Sequence, residues 1–211
     1  MKRMIIVAIT ILSTASLFGA AADFDNPVAK GRWGIFGDLE TSSHDATFKA
    51  PHGTIVDGGE YNIDLGAGYS VIDNLVLTFG YNIDAKHNTT KNPAGTWSLK
   101  DEESGSTMSL GARWYFRDGD QIRPFASLAY LKGVLETKET TTGVESFHHS
   151  ADHSGFSMQV GVSYWVSHNF CFETHYSMTK LSHADKSNPA FADYDSDSAG
   201  LHFGFLWMFS K

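Results

Sequence analysis

The sequence predicts an all-β fold, an eight-stranded antiparallel up-and-down transmembrane β-barrel. Three observations carry that expectation. Large apolar residues alternate with small or polar ones in eight separate stretches, the connections between them alternate short and long, and the aromatics gather at two levels once the stretches are aligned. The last stretch, 199–209, is the clearest. Leu201, Phe203, Phe205, Trp207 and Phe209 share one face, and Gly200, His202, Gly204, Leu206 and Met208 share the other, because successive side chains of a strand point to opposite sides. A soluble protein hides so large an aromatic stripe, whereas a strand facing lipid displays it.

The other stretches follow in order. In 31–40, Trp33, Ile35 and Leu39 share a face, and in 60–70 Tyr61, Ile63, Leu65, Ala67 and Tyr69 do. Leu75, Leu77, Phe79, Tyr81 and Ile83 mark 75–84, and Met108, Leu110, Ala112, Trp114 and Phe116 mark 107–117. The fifth, 123–136, is less regular, with Ala126, Leu128 and Tyr130. Phe156, Met158, Val160, Val162 and Tyr164 define 155–166, and Phe170, Phe172, Tyr176 and Met178 define 170–178. A period of two sustained this often argues for strands and against helices. The short connections are 71–74, 118–121 and 167–169, and the long polar ones are roughly 41–59, 85–106, 137–154 and 179–198; in the third, strand-prone arms at 131–136 and 144–147 flank the turn Thr140-Thr-Thr-Gly143, so the fifth and sixth strands are expected to continue as a protruding hairpin. Such asymmetry describes periplasmic turns, four extracellular loops and, with an even strand count, periplasmic termini.

Alignment levels Trp33, Tyr69, Trp114, Phe116, Tyr164, Phe170, Trp207 and Phe209 near the short-turn end as an aromatic girdle, with Tyr61, Tyr81, Tyr130, Phe156 and Tyr176 toward the other end. The inward face carries Gly34, Gly66, Gly68, Gly80, Gly111, Gly161 and Gly204 among serines and threonines, which suits a narrow wall whose interior fills with side chains. Arg32, Asp64, Arg113, Glu173 and His202 fall on that face as a lumen charge cluster, and Arg113 and Glu173 are expected to pair, since an unpaired buried charge is costly.

The start of the chain reads as an export signal. Lys2 and Arg3 precede an apolar run over 4–18, and Ala20-Ala21-Ala22 offers a small-residue cleavage site. Residues 1–22 are therefore expected to be a signal peptide and 23–211 the outer-membrane barrel domain. A membrane helix is the competing reading, but the run is short for a span. The 211-residue chain has 16 Lys and Arg against 24 Asp and Glu, a net charge of −8. Loss of the signal removes Lys2 and Arg3 and no acid, which leaves −10. Nucleic acid is therefore not an expected partner. The single Cys171 excludes an internal disulfide and a thiolate metal cluster, and its inward phase suggests a packed thiol.

Segments 69–77, 110–116, 123–130 and 160–173, among them Leu110-Gly-Ala-Arg-Trp-Tyr-Phe116 and Arg123-Pro-Phe-Ala-Ser-Leu-Ala-Tyr130, resemble the small outer-membrane β-barrel proteins of Gram-negative bacteria. The likeness is closest to the OmpW-like and OmpA-type group and covers nearly the whole mature chain. It departs at the C-terminus, where Ser210 and Lys211 follow Phe209. The resemblance implies residence in the bacterial outer membrane, contact with its lipid and lipopolysaccharide, and insertion by the barrel assembly machinery. It implies a structural, adhesive or surface-interaction role with an extracellular partner at the loops, or else a narrow channel for small or hydrophobic solutes.

Three other readings weigh against these. Gly31-Arg-Trp33 matches the G-x-W of a soluble lipocalin-type barrel, but the apolar faces of the eight stretches would then overfill the lumen. Glu173, His175 and Ser177 share a face, and His175-Tyr-Ser177 resembles the H-x-S motif of outer-membrane lipid A deacylases. Met178 and Thr179 replace that family's next residues, and the phase turns the triplet inward, so no catalytic residue is assigned. His44, His52, His87, His148, His149, His153 and His183 fall in the expected loops, with His148-His149-Ser-Ala-Asp-His153 the densest group. Imidazole and carboxylate suit zinc, copper or nickel, but the spacing fits no defined motif, so neither a metal nor a cofactor is assigned.

Overall fold

Eight strands, each hydrogen-bonded antiparallel to the next, close on themselves in a computed structural model that describes residues 26–48, 54–91, 97–116, 121–142, 144–185 and 194–209. The expected signal peptide lies outside the described residues. The strands are β1 (Trp33–Phe48), β2 (Thr54–Ile72), β3 (Leu75–Lys91), β4 (Ser98–Tyr115), β5 (Ile122–Thr141), β6 (Val144–Trp165), β7 (Phe170–Asp185) and β8 (Tyr194–Phe209). Apart from the β1–β8 seam, the antiparallel ladder pairs neighbouring strands along most of their described length, as a wall in lipid requires.

The register fixes the shape. Paired residues followed round the wall run from Gly34 through Gly68, Thr78, Gly111, Ala129, Ser157 and Thr179 to Ser198 on β8, yet Gly34 itself pairs with Met208. The closure is therefore staggered by ten residues, 208 against 198, and a staggered wall must tilt, by roughly 35–45° in such barrels. The seam is short. Among the described residues β1 pairs with β8 only from Trp33↔Phe209 to Asp38↔Gly204, whereas β1 pairs with β2 all the way to Phe48↔Thr54.

The alternation seen in the sequence sets which face is which. Leu65, Leu77, Phe79, Leu110, Leu128, Phe156, Phe172 and Phe203 point outward and are exposed, Leu110 by 66%. The strands run well past the stretches that alternate, and much of the expected long loops is strand. β3 and β4 stay paired to Lys91↔Ser98, and β5 and β6 form one long hairpin to Thr141↔Val144 with a register shift at Glu139/Thr140. The physical reason is solvation. Beyond the lipid both faces of the wall are wet, so pairing continues without an apolar stripe to announce it. Cross-strand partners there are often of opposite charge, as in Lys86↔Glu103 and Glu102↔Lys138.

The short-turn end is packed. Val76, Tyr115, Phe125, Trp165, Cys171, Leu206 and Met208 turn inward and, with Val28, form the buried core, each 2% exposed or less. Val28 comes from the segment before β1, which folds beneath the barrel. Asn74 N–H donates to Val28 O (3.1 Å), Gly31 N–H to Ser70 O (2.7 Å) and Lys30 N–H to Asp73 Oδ1 (2.8 Å). Asn74 holds the tight β2–β3 turn at φ 67°, a left-handed conformation that asparagine tolerates.

Candidate functional site

The lumen divides into a dry floor and an open cup. At the floor, Arg113 on β4 and Glu173 on β7 meet across the barrel, Nη1 to Oε2 at 2.5 Å, with side chains 7% and 3% exposed. Glu173 Oε1 accepts from Ser163 Oγ (2.7 Å) and Tyr115 OH (3.1 Å). The guanidinium stacks over the Phe125 ring at 4.4 Å and approaches Phe36 at 5.7 Å. Arg113 Nη2 also donates to Gln159 Oε1 (3.5 Å), which accepts from Ser127 Oγ (2.8 Å). A desolvated ion pair is tolerable only with this extra hydrogen bonding. Below it Arg123, fully buried, donates from Nη1 to Asn26 Oδ1 (2.6 Å) and lies 6.0 Å from the Trp165 ring.

Above the floor the lumen opens toward the long-loop end as a cavity of about 430 Å³. Asp38, Glu60, Asp64 and Asp84 line it with Asn62, Asn82, Gln159 and many hydroxyls. Ser177 Oγ and His202 Nε2 are 2.7 Å apart, and the His202 ring stacks on His175 at 5.0 Å and 9°. The acyl-transfer geometry suggested by Glu173, His175 and Ser177 is not assembled, because Ser177 meets His202 and Glu173 is held by Arg113, Tyr115 and Ser163.

Of the five residues read as a lumen charge cluster, Arg113 and Glu173 touch, while Asp64 and His202 line the cup above them. Arg32 lies elsewhere. It sits just before β1, on the rim, where its guanidinium donates to Asn169 Oδ1 (2.5 Å), His168 O (3.3 Å) and Phe209 O (3.4 Å). Being outside the strand, it ties chain ends to the β6–β7 turn and does not enter the lumen. Asp38, Tyr115 and Gln159 were missed. Extending the phase of Trp33 and Ile35 by one more step turns Asp38 inward, and the same phase that turns Trp114 out turns Tyr115 in.

The histidines placed in loops are partly on the wall. His153 on β6 and His183 on β7 are register partners, each 5% exposed, with rings 5.6 Å apart. His153 Nε2 lies 2.8 Å from Thr107 Oγ1, and His183 Nε2 2.8 Å from Ser196 Oγ. Burial holds both imidazoles below their ordinary pKa. His148 and His149 fall on opposite faces of β6, so that run does not converge, and His52 lies outside the described residues. Among the described residues no three His, Cys, Asp or Glu side chains are grouped as metal ligands.

At the short-turn end Trp33, Tyr69, Trp114, Phe116, Trp207 and Phe209 point outward and are exposed, with Tyr164 and Phe170 half-buried beside neighbours. Trp33 packs on Tyr69 at 4.8 Å, and Phe170 on Trp207 at 6.0 Å. Sequence comparison bears directly on a wall of this kind. The model of a family described as outer membrane protein beta-barrel domain matches residues 7–209.

The chain belongs to this outer-membrane β-barrel family. Its place is therefore the bacterial outer membrane, where the exposed apolar face described above meets lipid. No curated protein sequence matches the chain. Among solved structures it is similar to OprG from Pseudomonas aeruginosa, with 16% identity over 87% of this chain and 98% of that one and a TM-score of 0.49. It is also similar to Neisserial surface protein A, with 17% identity over 84% and 97% and a TM-score of 0.44. The attachment invasion locus protein Ail of Yersinia pestis shares 10% identity over 85% and 99%, with a TM-score of 0.44.

Proposed function

We propose that this protein is an outer-membrane anchor that carries long strand-built extensions at the cell surface and passes no solute along its axis. In this reading the short turns and both termini face the periplasm, and the cup and the β5–β6 hairpin face outward, where a surface partner meets them. The girdle aromatics sit at the headgroup level on the periplasmic side, with lipopolysaccharide against the outer half. An export signal and the barrel assembly machinery deliver the chain. The observation that carries the reading is the filled floor: an apolar core, the Arg113–Glu173 pair and the folded-under segment at Val28 stack in series across the lumen. Single-channel recording in a planar bilayer tests it. The expected result is a flat baseline on insertion, and discrete ion-conducting steps from the wild-type barrel would overturn it.

One observation favours a second reading, a narrow conduit for small or hydrophobic solutes. The β1–β8 ladder ends at Asp38↔Gly204 among the described residues, and in this second reading a solute in the cup leaves through the wall there rather than through the floor. Uptake of an apolar dye into liposome membranes by a barrel that conducts no ions would favour that reading. Uptake no faster than in protein-free liposomes would leave the anchor alone.

A further inference from the structure

The cup is acidic beyond what its own cations offset. Asp38, Glu60, Asp64 and Asp84 line it, and Arg113 is the one Lys or Arg among its described lining residues. That guanidinium is already bound to Glu173. Asp38 and Asp64 are cross-strand partners, both directed inward, and like charges placed opposite each other destabilise a sheet. Gly204 brings the first of them close. A Cβ there would collide with Asp38 Oδ1, so the carboxylate lies close against the backbone of β8.

Two further atoms point to a missing partner. Asp64 Oδ1 is buried with no hydrogen-bond partner among the described residues. His175, 2% exposed and part of the cup lining, has its Nδ1 buried and equally without one. Buried polar atoms left this way are costly and call for a donor. A bare metal ion is a poor fit, because no three ligating side chains are grouped among the described residues. An ammonium group suits better. It brings one positive charge and several N–H donors, and a cavity of about 430 Å³ has the size of a small-molecule site.

We propose that the cup binds an aliphatic amine, its ammonium group held between Asp38 and Asp64 and a further N–H directed to His175. The amine enters from the long-loop end and leaves the same way. The site needs only the cup, so it stands independently of whether the floor conducts.

The test is calorimetric titration of the full barrel in detergent micelles with spermidine as the probe and magnesium chloride as the competitor. The wild-type protein is expected to bind spermidine at one site, and Asp38→Asn with Asp64→Asn is expected to weaken it at least tenfold. Glu102→Gln, outside the cup, is expected to leave it unchanged. Absence of binding, equal binding by the double variant, or displacement by magnesium at equal charge concentration would each overturn the proposal. If the double variant does not fold, as shown by loss of fast gel migration without heating, amide NMR of the wild-type protein decides. Shifts on spermidine addition centred on 38, 64, 175 and 202–204 support the site, and shifts confined to 101–103 overturn it.

Discussion

The two halves of this barrel use the same strands for opposite ends. In the short-turn half the inward side chains are large, Tyr115, Phe125, Trp165 and Met208, and the Arg113–Glu173 pair is stripped of water and held by Tyr115 and Ser163. In the long-loop half the inward side chains are mostly small or polar, with Leu131 and Leu181 among them, the cup sets Asp38, Glu60, Asp64 and Asp84 against Arg113 among its described lining residues, and the wall leans on cross-strand polar pairs. Water decides the difference. Where it is excluded every polar atom needs a protein partner, and where it enters the ladder alone is enough.

The largest expected effect lies in the dry half. Glu173→Gln removes the charge that Arg113 faces and is expected to cost about 3–5 kcal/mol, the usual penalty for breaking a buried pair. Urea unfolding in lipid vesicles, followed by tryptophan fluorescence, measures it. A loss under about 1 kcal/mol would mean that the pair is wet, and the contrast between halves would fail.

On the outer face the expected effect is somewhat smaller. Leu65→Arg, on the lipid side, is expected to cost about 2–4 kcal/mol near mid-bilayer. Asn62→Arg, in the cup three residues away, carries no lipid penalty. Equal costs for the two in the same unfolding assay would contradict the assignment of faces.

The histidine pair gives the wet half a pH dependence. Burial lowers His153, with His183 lowering it further and Asp152 opposing; burial also lowers His183, with Glu103 and Asp195 opposing. A depressed imidazole favours the folded wall above the unfolded value of about 6.5, and that stability is lost as pH falls through it toward the folded value. Amide exchange over 151–154 and 182–184, corrected for intrinsic rates, is expected to speed up at pH 5 relative to pH 7.5, and in His153→Gln with His183→Gln the difference should shrink. The smallest effect belongs to the outer ladder, where Lys86→Ala is expected to cost about 0.2–1 kcal/mol by the same urea midpoint.

Much of this architecture was legible in the sequence for a single reason: lipid on one face forces a period of two. That period located all eight strands, both short-turn ends of β2 and β3, and the inward phase of Arg113 and Glu173. It stopped being informative where lipid stops. The outer parts of β3 and β4 carry Thr, Lys, Glu and His without a stripe, so they read as loop although they pair throughout. The Arg113–Glu173 pair was legible from charge and inward phase, but its partners Tyr115, Ser163 and Gln159 depend on how the tilted strands meet, which no local pattern records. Asp38 was hidden by a break in the outward stripe at Gly37, and Arg32 was drawn into the lumen by a phase extended one residue before the strand begins.

The division into a dry and a wet half is tested most directly by the protein's own Cys171, which is fully buried in the floor. Its modification by a charged, water-soluble maleimide should be compared with that of Ser198→Cys, on the cup lining, in a Cys171→Ser background. Cys171 is expected to stay unmodified in the folded barrel and to react only after denaturation, while the cysteine at 198 reacts within minutes. Modification of Cys171 in the folded protein as fast as at 198 would mean that water reaches the floor, and the sealed half would not exist.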